Sequence, residues 1–170
     1  MISALLFGDG AAAVVLSTDE SKSGAEIVDT QSHLFPNSTR AMGFDLKNSG
    51  FHIVLRKDVP ELIRQGLPAL TSGMLARQEL SLQDLRFFAI HPGGRKILEH
   101  AEETLQIPRE SLASSWQILA EVGNLSSASV LAVYERELQR RPPKHGELGL
   151  MAAFGPGFSA ELLLLRWQEA

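Results

Sequence analysis

From Asp58 onward the apolar residues fall at helical spacing. Leu62, Ile63, Leu67 and Leu70 share one face, and Asp58-Val59-Pro60-Glu61 supplies a capping carboxylate, a first-turn proline and an early acid. This predicts a long amphipathic helix. A brief polar turn over residues 81–85 precedes a short apolar run, residues 86–90, that reads as a central strand ending at His91. Pro92 then offers the backbone angle favoured at a helix start, and Ile97, Leu98 and Leu105 continue the periodicity. A shorter helix is expected over residues 115–121, stopped by Gly123, with Asn124 placed to cap the next helix, which runs to about Arg140.

Strand patterns flank this helical stretch. Residues 11–17 are rich in Ala, Val and Leu before a polar, Gly-containing break, which predicts a buried strand and a turn. Residues 25–29 and 50–55 read as further strands, with residues 33–47 as a long irregular connection of the kind that often carries function. Residues 148–154 and 160–167 are apolar segments around Gly155-Pro156-Gly157, an antiparallel pair closing a sheet. Strands alternating with helices give an α/β class: a mixed, mostly buried sheet of about five strands packed by helices, in one domain spanning residues 1–170.

Composition narrows the function. With 44% hydrophobic and 21% charged residues the chain is an ordinary globular domain, and its apolar runs are too short to cross a bilayer. The start of the chain has no basic flank of the secretory kind, so a cytoplasmic address is expected. A net charge of −4 argues against a nucleic-acid partner, and the basic cluster Arg140-Arg141-Pro142-Pro143-Lys144 reads as a solvated loop. The absence of cysteine excludes disulfides, thiolate metal sites and a cysteine nucleophile within these residues.

Gly8-Asp9-Gly10-Ala11-Ala12-Ala13, with Asp29 beyond it, matches the form of a dinucleotide fingerprint. No strand long enough precedes it and no helix pattern follows, so a tight turn is the better account. His33, His52, His100 and His145 lack partners at metal-ligand spacing; no metal or other cofactor is expected. His91 differs, standing at the carboxyl end of a strand, where α/β sheets bind ligands. Asn124, within Gly123-Asn124-Leu125-Ser126-Ser127-Ala128, puts an amide beside small residues that allow close approach. Alone it would be a helix cap. Together, a His and an Asn can donate two hydrogen bonds to one thioester oxygen and stabilise the charge of an enolate. Ser126 as a nucleophile is disfavoured because no Gly-x-Ser-x-Gly elbow is present, and it reads as a pocket wall. The glycines of Ala153-Phe154-Gly155-Pro156-Gly157-Phe158 suit a hairpin turn that can also present backbone to a ligand.

Taken in order, Leu6-Phe7-Gly8-Asp9-Gly10-Ala11-Ala12-Ala13, Asp58-Val59-Pro60, His91-Pro92-Gly93-Gly94, the Gly-Asn stretch and Phe154-Gly155-Pro156-Gly157 resemble the carboxyl-terminal half of the type III polyketide synthases, the chalcone and stilbene synthase family. The resemblance covers essentially the whole chain. It implies one half of a thiolase-like fold, a homodimeric full-length enzyme, and an acyltransferase that condenses malonyl-CoA by decarboxylation onto an acyl-CoA starter and then cyclises the chain. It further implies that His91 and Asn124 assist decarboxylation and hold thioester oxyanions. Phe7 would be a gate between CoA tunnel and cavity, Lys96 a contact for the CoA arm, Ser126 a cavity wall, and Gly155, Pro156 and Gly157 the loop shaping the cyclisation cavity. The family's cysteine belongs to an amino-terminal half that these residues do not include, so the chain alone is expected not to condense thioesters. Around Ala41-Met42-Gly43-Phe44-Asp45 the chain is more similar to bacterial members, which favours alkylpyrone or alkylresorcinol products. The alternatives are a non-catalytic assembly or CoA-binding module, or the corresponding half of an initiating ketoacyl-ACP synthase.

Overall fold

The computed structural model describes residues 5–19 and 21–169. Its strands are β1 (Gly24–Leu34), β2 (Met42–Lys47), β3 (Gly50–Leu55), β4 (Leu85–Ile90), β5 (Leu148–Gly155) and β6 (Ser159–Gln168). The helices α1 (Val59–Arg77), α2 (Arg95–Leu105), α3 (Ala113–Val122) and α4 (Ala128–Arg140) lie between them, with short 3-10 turns at Leu82–Asp84 and Arg109–Leu112.

The main sheet has the order β1-β6-β5-β4. β4 and β5 are parallel, joined by a crossover that carries α2, α3 and α4, while β5–β6 and β6–β1 are antiparallel. The mixed sheet matches the expected class. Its inner strands alternate between two cores, which is why they read as unbroken apolar runs. Phe88, Ile90, Leu150, Ala152, Leu162 and Leu164 face α1 and α2, meeting Ile63, Leu67, Met74, Ile97 and Leu98. Phe87, Ala89, Met151 and Leu165 face the other way, against Ile118, Val130 and Val133.

Four local expectations need correction. Residues 11–17 form neither a strand nor a buried element: Val14, Val15 and Leu16 are 57%, 96% and 78% exposed, and among the described residues no strand pairs with them. β1 runs five residues past the expected end, since β6 supplies a ladder partner as far as Leu34 however polar the side chains Thr30, Gln31 and Ser32 are. The expected irregular connection is largely ordered, its second part being β2 of a hairpin with β3, separate from the main sheet. Finally, α2 begins at Arg95 and not at Pro92, because Gly93 N–H turns back to the His91 carbonyl at 2.9 Å before the helix can start.

In the β2–β3 hairpin the pairs Met42–Leu55, Phe44–Ile53 and Leu46–Phe51 stand opposite one another, so six apolar side chains share one face. Met42 is the half-buried inner end; Phe44, Leu46 and Phe51 are exposed, and Phe44 meets Phe51 edge to face at 6.1 Å.

Candidate active site

His91 extends β4 by one residue, its N–H donating to the Ala152 carbonyl of β5 at 2.8 Å. That bond fixes the imidazole at the carboxyl end of the parallel pair. The side chain is 5% exposed. Burial holds its pKa down at about 4, because the imidazolium would lose hydration that nothing nearby replaces. At neutral pH His91 is therefore an uncharged imidazole with one N–H to donate and one lone pair.

Asn124 arrives from the other side, just after Gly123 ends α3 with φ +75°. It does not cap α4, which starts four residues later; its amide closes a turn of its own. The Oδ1 accepts the Ser126 N–H at 2.8 Å, and the Nδ2 faces the Gly93 carbonyl at 3.4 Å. Since a backbone N–H can only donate and a carbonyl only accept, these partners fix which way the amide points. Asn124 is 2% exposed, and Ser126 takes a left-handed backbone, φ +57°, to complete the turn.

Phe7 enters this corner through an isolated parallel bridge to Asn124. The bridge demands close approach: a Cβ on Gly8 would overlap the Val122 carbonyl oxygen, and one on Gly123 would come within 2.7 Å of the Leu6 carbonyl oxygen. The glycine that resembled a dinucleotide motif thus serves backbone packing.

Phe7, His91 and Asn124 line a small cavity of about 20 Å3, room for about one water, whose wall continues through Met42, Leu55 and Phe154. It adjoins a larger cleft of about 250 Å3, bordered also by Ser126, Gly155 and Pro156. Six of the eight expected site residues are therefore brought together. Lys96 is not among them, being exposed in the first turn of α2, and Gly157 lies just outside the cleft lining, at a cis peptide bond to Phe158. Met42 and Phe154 border both spaces, and Leu55 the smaller one, and sequence reasoning missed all three as site residues. The period-two pattern from Met42 to Leu46 was the available signal for the first.

The larger cleft is shallow in volume compared with ligand sites of roughly 300–1,000 Å3. The neutral imidazole and the oriented amide lie where the two spaces meet: the smaller is otherwise walled by apolar side chains, while the larger also carries Ser126, Ser127, Ser159 and Glu161. Such a pair suits donation to an oxygen that becomes negative in a reaction.

Comparison with known proteins identifies the family. Residues 26–168 match the model of the chalcone and stilbene synthases, C-terminal domain. The chain is 41% identical over 171 residues to 1,3,6,8-tetrahydroxynaphthalene synthase of Streptomyces peucetius, covering 98% of this chain and 45% of that protein. It is 36% identical over 166 residues to phloroglucinol synthase of Pseudomonas fluorescens, covering 98% and 47%. The crystal structure of the 1,3,6,8-tetrahydroxynaphthalene synthase of Streptomyces coelicolor, a bacterial type III polyketide synthase, superposes with a TM-score of 0.81 at 33% identity, over 87% of this chain and 42% of that one. The chain spans less than half the length of these relatives. With the family model covering most of its residues and the fold shared, the chain belongs to the chalcone and stilbene synthase family, as the C-terminal domain of a type III polyketide synthase.

Proposed function

We propose that this domain supplies the oxyanion-holding part of a decarboxylative condensation, using malonyl-CoA as extender and an acyl-CoA as starter. The observation that carries the reading is that neutral His91 and the oriented amide of Asn124 line one small cavity with mostly apolar walls. When the carbon–carbon bond to the malonyl carboxylate breaks, its electron pair passes into the thioester as an enolate and carbon dioxide leaves. The imidazole N–H and the amide N–H stabilise that oxygen beside apolar walls. The enolate carbon then attacks the starter thioester held on a cysteine of an amino-terminal half, and the thiolate departs as the new carbon–carbon bond forms.

Within this reading Phe7 gates the passage between CoA and the cavity. Ser126 and the turn Gly155, Pro156 and Gly157 shape the space in which the chain cyclises. Lys96, exposed on α2, meets a phosphate of CoA. The names of the relatives support a polyhydroxylated aromatic product without an alkyl tail; an alkylpyrone or alkylresorcinol would be the other outcome of the same product assay. The amino-terminal half is the expected partner, and the homodimer of the whole enzyme is cytoplasmic. Support for that partner comes from the exposed apolar face of β2–β3 and from the unpaired, exposed Val14, Val15 and Leu16.

The test joins this chain to an amino-terminal half bearing the cysteine and follows malonyl-CoA consumption and polyketide formation. His91→Ala and Asn124→Ala each lower the decarboxylation rate by about 10²-fold or more, the scale of removing one oxyanion donor. Unchanged rates in both variants, or polyketide made by this chain alone, would overturn the proposal.

A further inference from the structure

The geometry points to Ser129 as a positioning residue that holds and polarises the Asn124 amide; this rests on the role proposed above for Asn124. Ser129 is fully buried in the first turn of α4. Its Oγ accepts the Leu125 N–H at 2.7 Å. A hydroxyl has one proton, and here that proton points to Asn124 Oδ1 at 3.4 Å. The oxygen of the amide thus faces two donors, the Ser126 N–H and the Ser129 hydroxyl.

Two consequences follow for the reaction. An amide rotated by half a turn would aim its NH2 group at two donors, so the hydroxyl opposes the orientation that would point an oxygen at the oxyanion. Donors on the amide oxygen also draw electron density from its nitrogen, which makes the NH2 group a stronger donor. The Leu125 anchor meanwhile braces the turn in which Ser126 holds its left-handed backbone. Ser129 itself is not among the residues lining the cleft, so it acts through Asn124 without touching substrate.

The joined enzyme described above tests this by a double-mutant cycle on malonyl-CoA decarboxylation. Ser129→Ala is expected to lower kcat by about three- to tenfold, the worth of one hydrogen bond, with KM changed by less than about twofold. On the Asn124→Ala background the same substitution is expected to cost less than about twofold. An equal loss in both backgrounds, or no loss in either, would overturn the assignment. The side-chain amide resonances of Asn124 in this chain give a readout independent of rate, and Ser129→Ala is expected to shift them; unshifted resonances also overturn it. If Asn124→Ala leaves the rate intact, the functional reading fails while the resonances still decide whether Ser129 orients the amide. Should Ser129→Ala not fold, Ser129→Cys keeps the volume with a weaker donor and is expected to shift the same resonances, with a loss of about threefold.

Discussion

Phe7 and Asn124 stand opposite each other with their backbones clasped on both sides: Asn124 N–H donates to the Leu6 carbonyl at 2.8 Å and Gly8 N–H donates to the Asn124 carbonyl at 3.0 Å. The proposed gate and the proposed oxyanion donor are thereby parts of one small bridge. Gly123→Ala should damage both at once, since a Cβ meets the Leu6 carbonyl oxygen and the backbone has φ +75°. A loss of about 1–3 kcal/mol is expected in urea unfolding, with weakened decarboxylation in the joined enzyme. An unfolding midpoint equal to that of the parent would contradict this account of the bridge.

The buried imidazole predicts an acid-sensitive fold. His91 titrates near 4 when folded and at about 6.5 when unfolded, so between those values the unfolded chain binds more protons. The contribution of neutral His91 is fully present above the unfolded pKa. It is lost as pH falls from about 6.5 towards 4, amounting to roughly 3 kcal/mol across the window. Urea unfolding from pH 7 to pH 4 should show this slope, and His91→Gln should flatten it. A His91 ring resonance that titrates near 6.5 in the folded chain would contradict it.

Glu137 is 2% exposed in α4, yet its carboxylate accepts from Ser114 Oγ at 2.5 Å and from the Arg140 guanidinium at 3.0 Å. Arg140 also reaches Glu110 at 2.6 Å, tying α4 to the Arg109–Leu112 turn. Arg140→Ala leaves a buried carboxylate with the hydroxyl alone and is expected to cost about 3–5 kcal/mol. Glu137→Gln with Arg140→Ala should recover part of that loss. Chemical denaturation of the three chains measures the difference.

The hairpin makes the opposite prediction. Leu46 and Phe51 are 74% and 75% exposed, so Leu46→Lys with Phe51→Lys should alter the stability of the chain by less than about 1 kcal/mol. If the apolar face meets the amino-terminal half, the same pair should weaken that association severely in a titration of the two halves. Undiminished association would assign the face to something else.

Much of the fold could be read in advance where one chain segment contains its own reason. The Val59-Pro60 start of α1, the apolar run ending at His91 and the two strands around Gly155 are of this kind, because burial on one stripe or on both faces leaves a periodic trace; Asp58 precedes α1 as expected, but its carboxylate pairs with Arg56 and does not cap the helix. The second half of β1 was illegible, since Thr30 to Ser32 are strand only by virtue of the β6 ladder. Residues 11–17 misled for the converse reason: they carry a strand's composition, and among the described residues no strand pairs with them. At the site, residue type marked His91 and Asn124. The orientation of the amide was not legible, because it depends on Gly93, 31 residues away in sequence, as well as on the local partners Ser126 and Ser129.

The turn after β5 is held from a distance. Ser38, 3% exposed, accepts the Phe158 N–H at 2.8 Å and donates to the Phe35 carbonyl at 2.6 Å, while Phe35 N–H donates to the Phe158 carbonyl at 2.9 Å. The stretch between β1 and β2 thus acts as a tether on the wall formed by Phe154, Gly155 and Pro156. Under the function proposed above, lengthening or stiffening the tether would tilt that wall and change which folded chain fits, so product range would respond to Phe35 and Ser38, which do not line the cleft, with His91 and Asn124 left as they are.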